Sequence, residues 1–361
     1  MAYTPPRWAT QGDFRHRPSP YSYGAGEPGA SWRPFNSDSV WNQPVPTSPT
    51  VASDSASVIS WVNSLSGPVD RDMGQGGTSA DFDHPVYYHA AGGPELRFKL
   101  QSGGTDPSNV YNPSPAASKR RASAIQNLSV PYPTEATPAA GSDGHMVVMT
   151  ADHSFEFIQG EIWSPGEGRV GARYGAVFPL DGDGSSVDGH ACTASGVSLL
   201  SGQIRLAELQ AGQINHALAI ITKWSRRNVF EGPATGVASP DPTTTAGDAN
   251  DLVRPVTGSR FQLNYTQSEI NALSVPDWKK TILQAMREYG MIVMDTGGAS
   301  WGLQFESGAV DVAQGNPDRW RAYAVSQGWS LSGGAGSPYV LPLKTGVDWT
   351  KLRVLAASNW S

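Results

Sequence analysis

The sequence predicts an α+β fold that is mainly β: a jelly-roll-like β-sandwich with a few packed helices, preceded by an extended N-terminal arm. Three observations carry this prediction. Gly and Pro supply 40 and 28 of the 361 residues, which favours short strands joined by turns over a helical bundle. Apolar residues reach 39 % with 12 Trp, enough for a large core, whereas charged residues are only 16 %, too few for a disordered chain. Short apolar runs with strand-like alternation recur between turn-rich stretches.

Residues 1–40 read as an attachment arm and 41–361 as one large β-rich globular domain. In the arm, Pro5, Pro6, Pro18, Pro20, Pro28 and Pro34 deny regular structure. Trp8, Phe14, Tyr21, Tyr23 and Trp32 suit an extended segment docking its rings on a neighbouring surface; a free tail is the competing reading. A helix follows from Ser55 to Leu65, capped near Asp54, with Val58, Ile59, Val62 and Leu65 at helical spacing. Strands are predicted at His84–His89, Glu95–Leu100, His145–Thr150, Ser154–Gln159 and Glu161–Trp163, with Ala151-Asp152-His153 as the turn of a hairpin. The Pro/Ser/Gly-rich stretch 101–142 reads as a long surface excursion.

Helical spacing resumes at Ile204, and Gly212 divides the segment to Ile221 into two turns or into a helix and a strand. Residues 231–258 read as a loop. Thr266-Gln-Ser-Glu269 is a capping-box pattern for a helix to Leu273. Asp277 is expected to cap a helix over Trp278–Tyr289 that Gly290 stops, Met291–Met294 reads as a buried strand, and Asn316–Gln327 as a last helix.

Charge and ends narrow the function classes. With 26 basic against 32 acidic residues the net charge is −6, which argues against a nucleic-acid partner. No run approaches the roughly 18 apolar residues of a membrane span. Met1–Pro6 lacks the basic and apolar regions of a secretory signal. Cys192 is the single cysteine and reads as a buried hydrophobe.

Several constellations are candidates for chemistry. Asp181-Gly-Asp-Gly-Ser-Ser-Val-Asp188 offers Asp181, Asp183 and Asp188 as oxygen ligands for Ca²⁺. The sixth and twelfth places of a calcium loop fall on Ser186 and Cys192, so a plain turn competes. His145, His216, Arg205 and Tyr88 around a groove would suit a polysaccharide lyase, with His or Tyr as base and Arg pairing a uronate carboxylate; hydrogen-bonded core residues are the competing reading. Glycoside hydrolysis would instead need two carboxylates flanking the bond, and Asp143, Glu156, Glu161, Asp295 and Glu306 are the candidates. Glu156 alternates with Phe155 and Phe157 and so faces away from them, toward solvent or a cleft. Trp163, Trp301, Trp320 and Trp329 are candidate sugar platforms, although with 12 Trp most must be core. No nucleophile elbow, Walker loop or dinucleotide glycine pattern is present.

Val40-Trp-Asn-Gln-Pro-Val-Pro46, Asp143-Gly-His-Met-Val-Val148, Ala194-Ser-Gly-Val-Ser-Leu-Leu-Ser-Gly202, Ile204-Arg-Leu-Ala-Glu-Leu209, Gly212-Gln-Ile-Asn-His-Ala-Leu218 and Tyr289-Gly-Met-Ile-Val-Met-Asp295 resemble, in this order, a little-characterised family. Its members are secreted actinobacterial polypeptides, often beside carbohydrate-binding modules, and minor tail proteins of actinobacterial phages. The resemblance covers about residues 38–300 and implies a glycan context without any catalytic assignment. An aromatic arm in place of a signal peptide, together with 19 Arg against 7 Lys among the 26 basic residues, favours the virion members. The expectation is a tail-tip protein, made in the host cytoplasm and carried in the virion. It would contact other tail proteins through the arm and bind, or also degrade, cell-envelope polysaccharide. The alternative is a free lyase or glycoside hydrolase.

Overall fold

The structure is a computed structural model that describes residues 27–65, 68, 70–73, 82–88, 95–100, 129–158, 161–164, 169–172, 174–186, 191–297, 300–331 and 338–360. The side chains at 71–72, 97–100, 161–164, 169–170 and 174 lie outside that description. Residues 1–26 of the predicted arm, 101–128 of the predicted excursion and Asp188 also lie outside it.

Among the described residues sheets predominate over a few short helices, an α+β arrangement. Its centre is a five-stranded sheet ordered β13 (Trp301–Leu303), β10 (Leu218–Thr222), β12 (Met291–Thr296), β11 (Arg260–Leu263) and β16 (Leu352–Val354). A second sheet is ordered β2 (Val86–Tyr88), β5 (His145–Met149), β6 (His153–Ile158) and β9 (Tyr174–Pro179). A third is ordered β4 (Ser129–Pro131), β3 (Glu95–Leu100), β8 (Arg169–Ala172) and β7 (Glu161–Ser164). A small fourth sheet joins β1 (Arg71–Met73), β15 (Tyr339–Leu341) and β14 (Ser330–Leu331). The pairs β10/β12, β2/β5 and β3/β8 are parallel, whereas a jelly roll is built from antiparallel strands.

Side-chain alternation distributes these strands into layers. In β10 and β12, Leu218, Ile220, Met291 and Val293 face one core, and Ala219, Ile292 and Met294 face another. In β5, Val147 and Met149 join that second core while Met146 and Val148 point to a third, shared with Phe157, Val130 and Tyr132. The central strands are thus covered on both faces, which is why they read as continuous apolar runs. The first core is closed by α5 (Asp277–Glu288), whose Trp278, Ile282, Ala285 and Met286 are buried at helical spacing.

Most predicted elements form, with instructive differences at their ends. Helix α1 (Ser55–Ser64) buries Val58, Ile59 and Val62 and has Asp54 at its N-cap as expected, but the Asp54 side chain makes no capping hydrogen bond; its carboxylate pairs with Arg226 Nη2 at 2.6 Å. Gly212, at φ +70°, ends α2 (Leu206–Ala211), and the chain then enters β10, the helix-and-strand alternative. A short helix, α3 (Ala249–Leu252), interrupts the predicted 231–258 loop, capped by Asp248. The capping box of α4 (Gln267–Ala272) forms between Thr266 and Glu269. Pro276, not Asp277, occupies the N-cap of α5, leaving Asp277 in the first turn; Tyr289 and Gly290, at φ +74°, end the helix. After α6 (Ala309–Ala313), α7 begins at Arg319 because Asp318 caps it, and it runs to Ser326.

The described part of the predicted arm, residues 27–40, packs on the chain's own body. Trp32 and Phe35 enter the second core with Trp41, and Asn42 Nδ2 ties the segment down through Pro34 and Asn36 carbonyls at 2.8 and 2.9 Å.

Candidate functional site

A cavity of about 480 Å³ opens where β2, the segment around Glu306, and helices α6 and α7 meet residue 27. Strand alternation sends Val86 and Tyr88 of β2 to its wall. The 304–307 segment is pinned between two others: Glu306 N donates to Ile204 O and Ser307 N to His84 O, both at 3.0 Å. Phe305 thereby points into the first core and Glu306 into the cavity.

Tyr88 donates its hydroxyl to Glu306 Oε1 at 3.0 Å. Burial, reinforced by the negative charge of Glu27, pushes the Glu306 carboxyl up to about 8, against the opposing pull of Arg205. Burial and then Glu306 likewise raise the Tyr88 phenol. Across the cavity Arg319 binds two carboxylates, Glu27 through Nη1 at 2.6 Å and Asp311 through Nε at 2.8 Å. Asp318 accepts from Arg321 N at 3.0 Å with Oδ1, while its buried Oδ2 has no hydrogen-bond partner. Glu27 Oε1 is likewise buried without one. One wall therefore holds a carboxyl that burial drives toward its protonated form, and the other an arginine-paired carboxylate.

Behind this wall lies a second polar cluster. Arg205 donates to Pro28 O at 3.0 Å, Trp32 O at 2.7 Å and Glu208 Oε1 at 2.9 Å, and its guanidinium lies 5.3 Å from the Trp32 ring centre. His216 Nε2 sits 3.1 Å from the same Glu208 oxygen, and its Nδ1 lies 2.9 Å from Ala217 O. Burial would raise the Glu208 carboxyl, but His216 and then Arg205 outweigh it and hold the group below the usual carboxylate range. Arg205 thus straps residues 28–32 to the body and so sets the position of Glu27, the next residue toward the N-terminus.

The structure therefore links three of the four residues expected around a lyase groove, but not as expected. Tyr88 lines the cavity; Arg205 and His216 lie buried behind it, engaged by Glu208 and backbone carbonyls. His145 is half-buried at the start of β5, its ring edge-on to His84 at 4.7 Å, and does not line the cavity. Asp295, at the end of β12, accepts from Thr296 N at 2.7 Å and also lies outside the lining. Glu156 does face away from Phe155 and Phe157, but the space it enters is the second core and not solvent or a cleft. It is fully buried and accepts from Leu199 N at 2.9 Å, Ser154 Oγ at 3.2 Å and Ser198 Oγ. Burial, against those hydrogen bonds, moves its carboxyl up to about 7.

Trp301 is core: 1 % exposed and edge-on to Trp349 at 5.1 Å. Trp163 falls on β7, whose side chains lie outside the described residues. Trp320 lines the cavity and packs edge-on against Phe305 at 5.8 Å. Asp181 and Asp183 are exposed on a turn that hydrogen-bonds residues 36–39, with Ser39 Oγ donating to Asp183 O at 2.7 Å and Asn36 Nδ2 to Asp181 O at 3.1 Å. Among the described residues no three His, Cys, Asp or Glu side chains are grouped to hold a metal ion. No described helix is long and apolar enough to cross a membrane.

Glu27, Asp311, Asp318 and Arg319 were not singled out in the sequence. Glu27 sits in a segment that reads as an arm, and Asp318-Arg319 reads as a helix start; only their convergence makes them a site. The closest available signal was Glu306, a carboxylate alternating with Phe305. No family model matches the chain, nor does any curated protein or solved structure.

Proposed function

We propose that this chain is a glycan-engaging protein that binds cell-envelope polysaccharide in the 480 Å³ cavity and hydrolyses it there. The observation that carries this reading is the pair of unlike carboxyl groups at one cavity: Glu306, buried beside Tyr88 and driven by burial toward its protonated form, and Glu27, ion-paired with Arg319. A glycosidic bond breaks by this division of labour. Glu306 gives its proton to the departing glycosidic oxygen, water adds to the anomeric carbon, and Glu27 takes the proton that the water releases. The test is release of reducing ends from actinobacterial arabinogalactan and from uronate-rich polymers by the purified chain. Turnover that disappears in Glu306→Gln while binding remains supports the reading; absence of binding to every glycan refutes it.

The setting we propose is a phage tail, with the protein made in the host cytoplasm and assembled into the virion. Its support is the family resemblance of the sequence and the aromatic N-terminal segment. Mass spectrometry of purified particles tests it: the chain present at stoichiometric level supports a tail component, and a chain found only in the lysate supports a free enzyme.

A further inference from the structure

The electrostatics of the cavity carry a conclusion about which sugars it admits, resting on the reading that it is a glycan site. The described residues lining it include four carboxyl groups, Glu27, Glu306, Asp311 and Asp318, and one cationic side chain, Arg319. That guanidinium is already engaged by Glu27 at 2.6 Å and Asp311 at 2.8 Å. Arg205, the cation expected to pair a uronate, is 2 % exposed and bound to Glu208 and three arm carbonyls.

Two carboxylate oxygens in the wall, Glu27 Oε1 and Asp318 Oδ2, are buried without a donor. Each carboxylate is engaged only through its other oxygen, but with Arg319 as the one cation among the described lining residues the wall is net negative, and a cavity with low-dielectric walls focuses that potential inward. A sugar carboxylate entering this space would meet like charge and find no unpaired cation among the lining residues. A neutral sugar meets no such penalty, and its hydroxyls can donate to the carboxylates.

We propose that the cavity is a subsite for sugars without a carboxylate, and that it excludes uronates. Specificity of this kind comes from the repulsive element as much as from attraction. The probes are a neutral arabinogalactan oligosaccharide and an oligogalacturonate of matched length, titrated calorimetrically into the full chain at low and high salt. The expected result is at least about tenfold tighter binding of the neutral probe, because tenfold corresponds to only about 1.4 kcal/mol of repulsion. The gap should narrow as salt screens the wall charge.

Asp318→Asn provides the second measurement: Asn keeps the N-cap of α7 and so preserves the fold, while removing one wall charge. It should raise oligogalacturonate affinity relative to the neutral probe. Equal or tighter binding of the oligogalacturonate to the unmodified chain would overturn the exclusion and leave the glycan site standing. Binding of neither probe would overturn the glycan site itself.

Discussion

Replacing Glu156 with Gln isolates the charge of a carboxyl group that the fold buries completely and, among the described residues, surrounds with hydrogen-bond donors. Glu156 Oε1 accepts from Ser154 and Ser198, and Oε2 from Leu199 N. Gln preserves the volume; its carbonyl serves Leu199 N, and the serine hydroxyls rotate to accept from its amide. Burial raises the carboxyl from 4.5 to about 7, so between those pH values the folded chain keeps a proton that the unfolded chain has released. The stability that this group contributes is fully present below 4.5 and is lost as pH rises through about 7. At about 1.4 kcal/mol per pH unit the loss is about 3 kcal/mol. The assay is urea denaturation followed by Trp fluorescence from pH 4.5 to 8, for the wild-type and Glu156→Gln chains. Their stability difference should move by about 3 kcal/mol in favour of the variant and level off above pH 7. Glu306, which loses its proton in an overlapping range, is present in both chains and is bound by Tyr88, not by the Ser154, Ser198 and Leu199 donors of Glu156, so its contribution cancels. A stability difference that stays flat across this range would refute the reasoning.

Three other outcomes test the site and its scaffold. Hydrolysis should fall as pH rises through about 8, where Glu306 loses the proton it must donate; a rate unchanged to pH 10 would remove Glu306 from the acid role. Arg205→Ala leaves Glu208 buried without its guanidinium and frees the Pro28–Trp32 carbonyls; a loss of about 3–5 kcal/mol is expected in denaturation, with new proteolytic cleavage between residues 27 and 36. Gly202 sits at φ +66°, and an added Cβ would strike Ala219 N and lie 2.6 Å from Trp41 Cζ3, so Gly202→Ala should cost roughly 3 kcal/mol or more in the same assay.

Local signals were legible wherever a short stretch carries its own physics. The capping box at Thr266 and Glu269, the stop at Gly290 and the break at Gly212 depend on neighbours within a few residues, and all three form. Asp54 takes the expected N-cap position, but Arg226, far along the chain, engages its carboxylate, which makes no capping hydrogen bond. Glu156 was placed on the correct face of its strand, but alternation does not say what lies opposite that face. The central five-stranded sheet and the Ser198–Leu199 turn occupy the space read as solvent or a cleft.

What the sequence determined by itself was the kind of chain: a large apolar core, few charges, short strands and helices, and the ends of most elements. Those follow from composition, period and capping, which act over one or two turns. Tertiary structure alone decided the chemistry. Glu27 and Arg319 lie 292 residues apart, and Tyr88 and Glu306 lie 218 apart; their pairing is set by layered sheets and by an arm strapped down through Arg205. The Glu306 carboxyl is pushed toward its protonated form first by burial and then by the nearby Glu27 charge, and both are properties of packing that spacing along the chain does not encode.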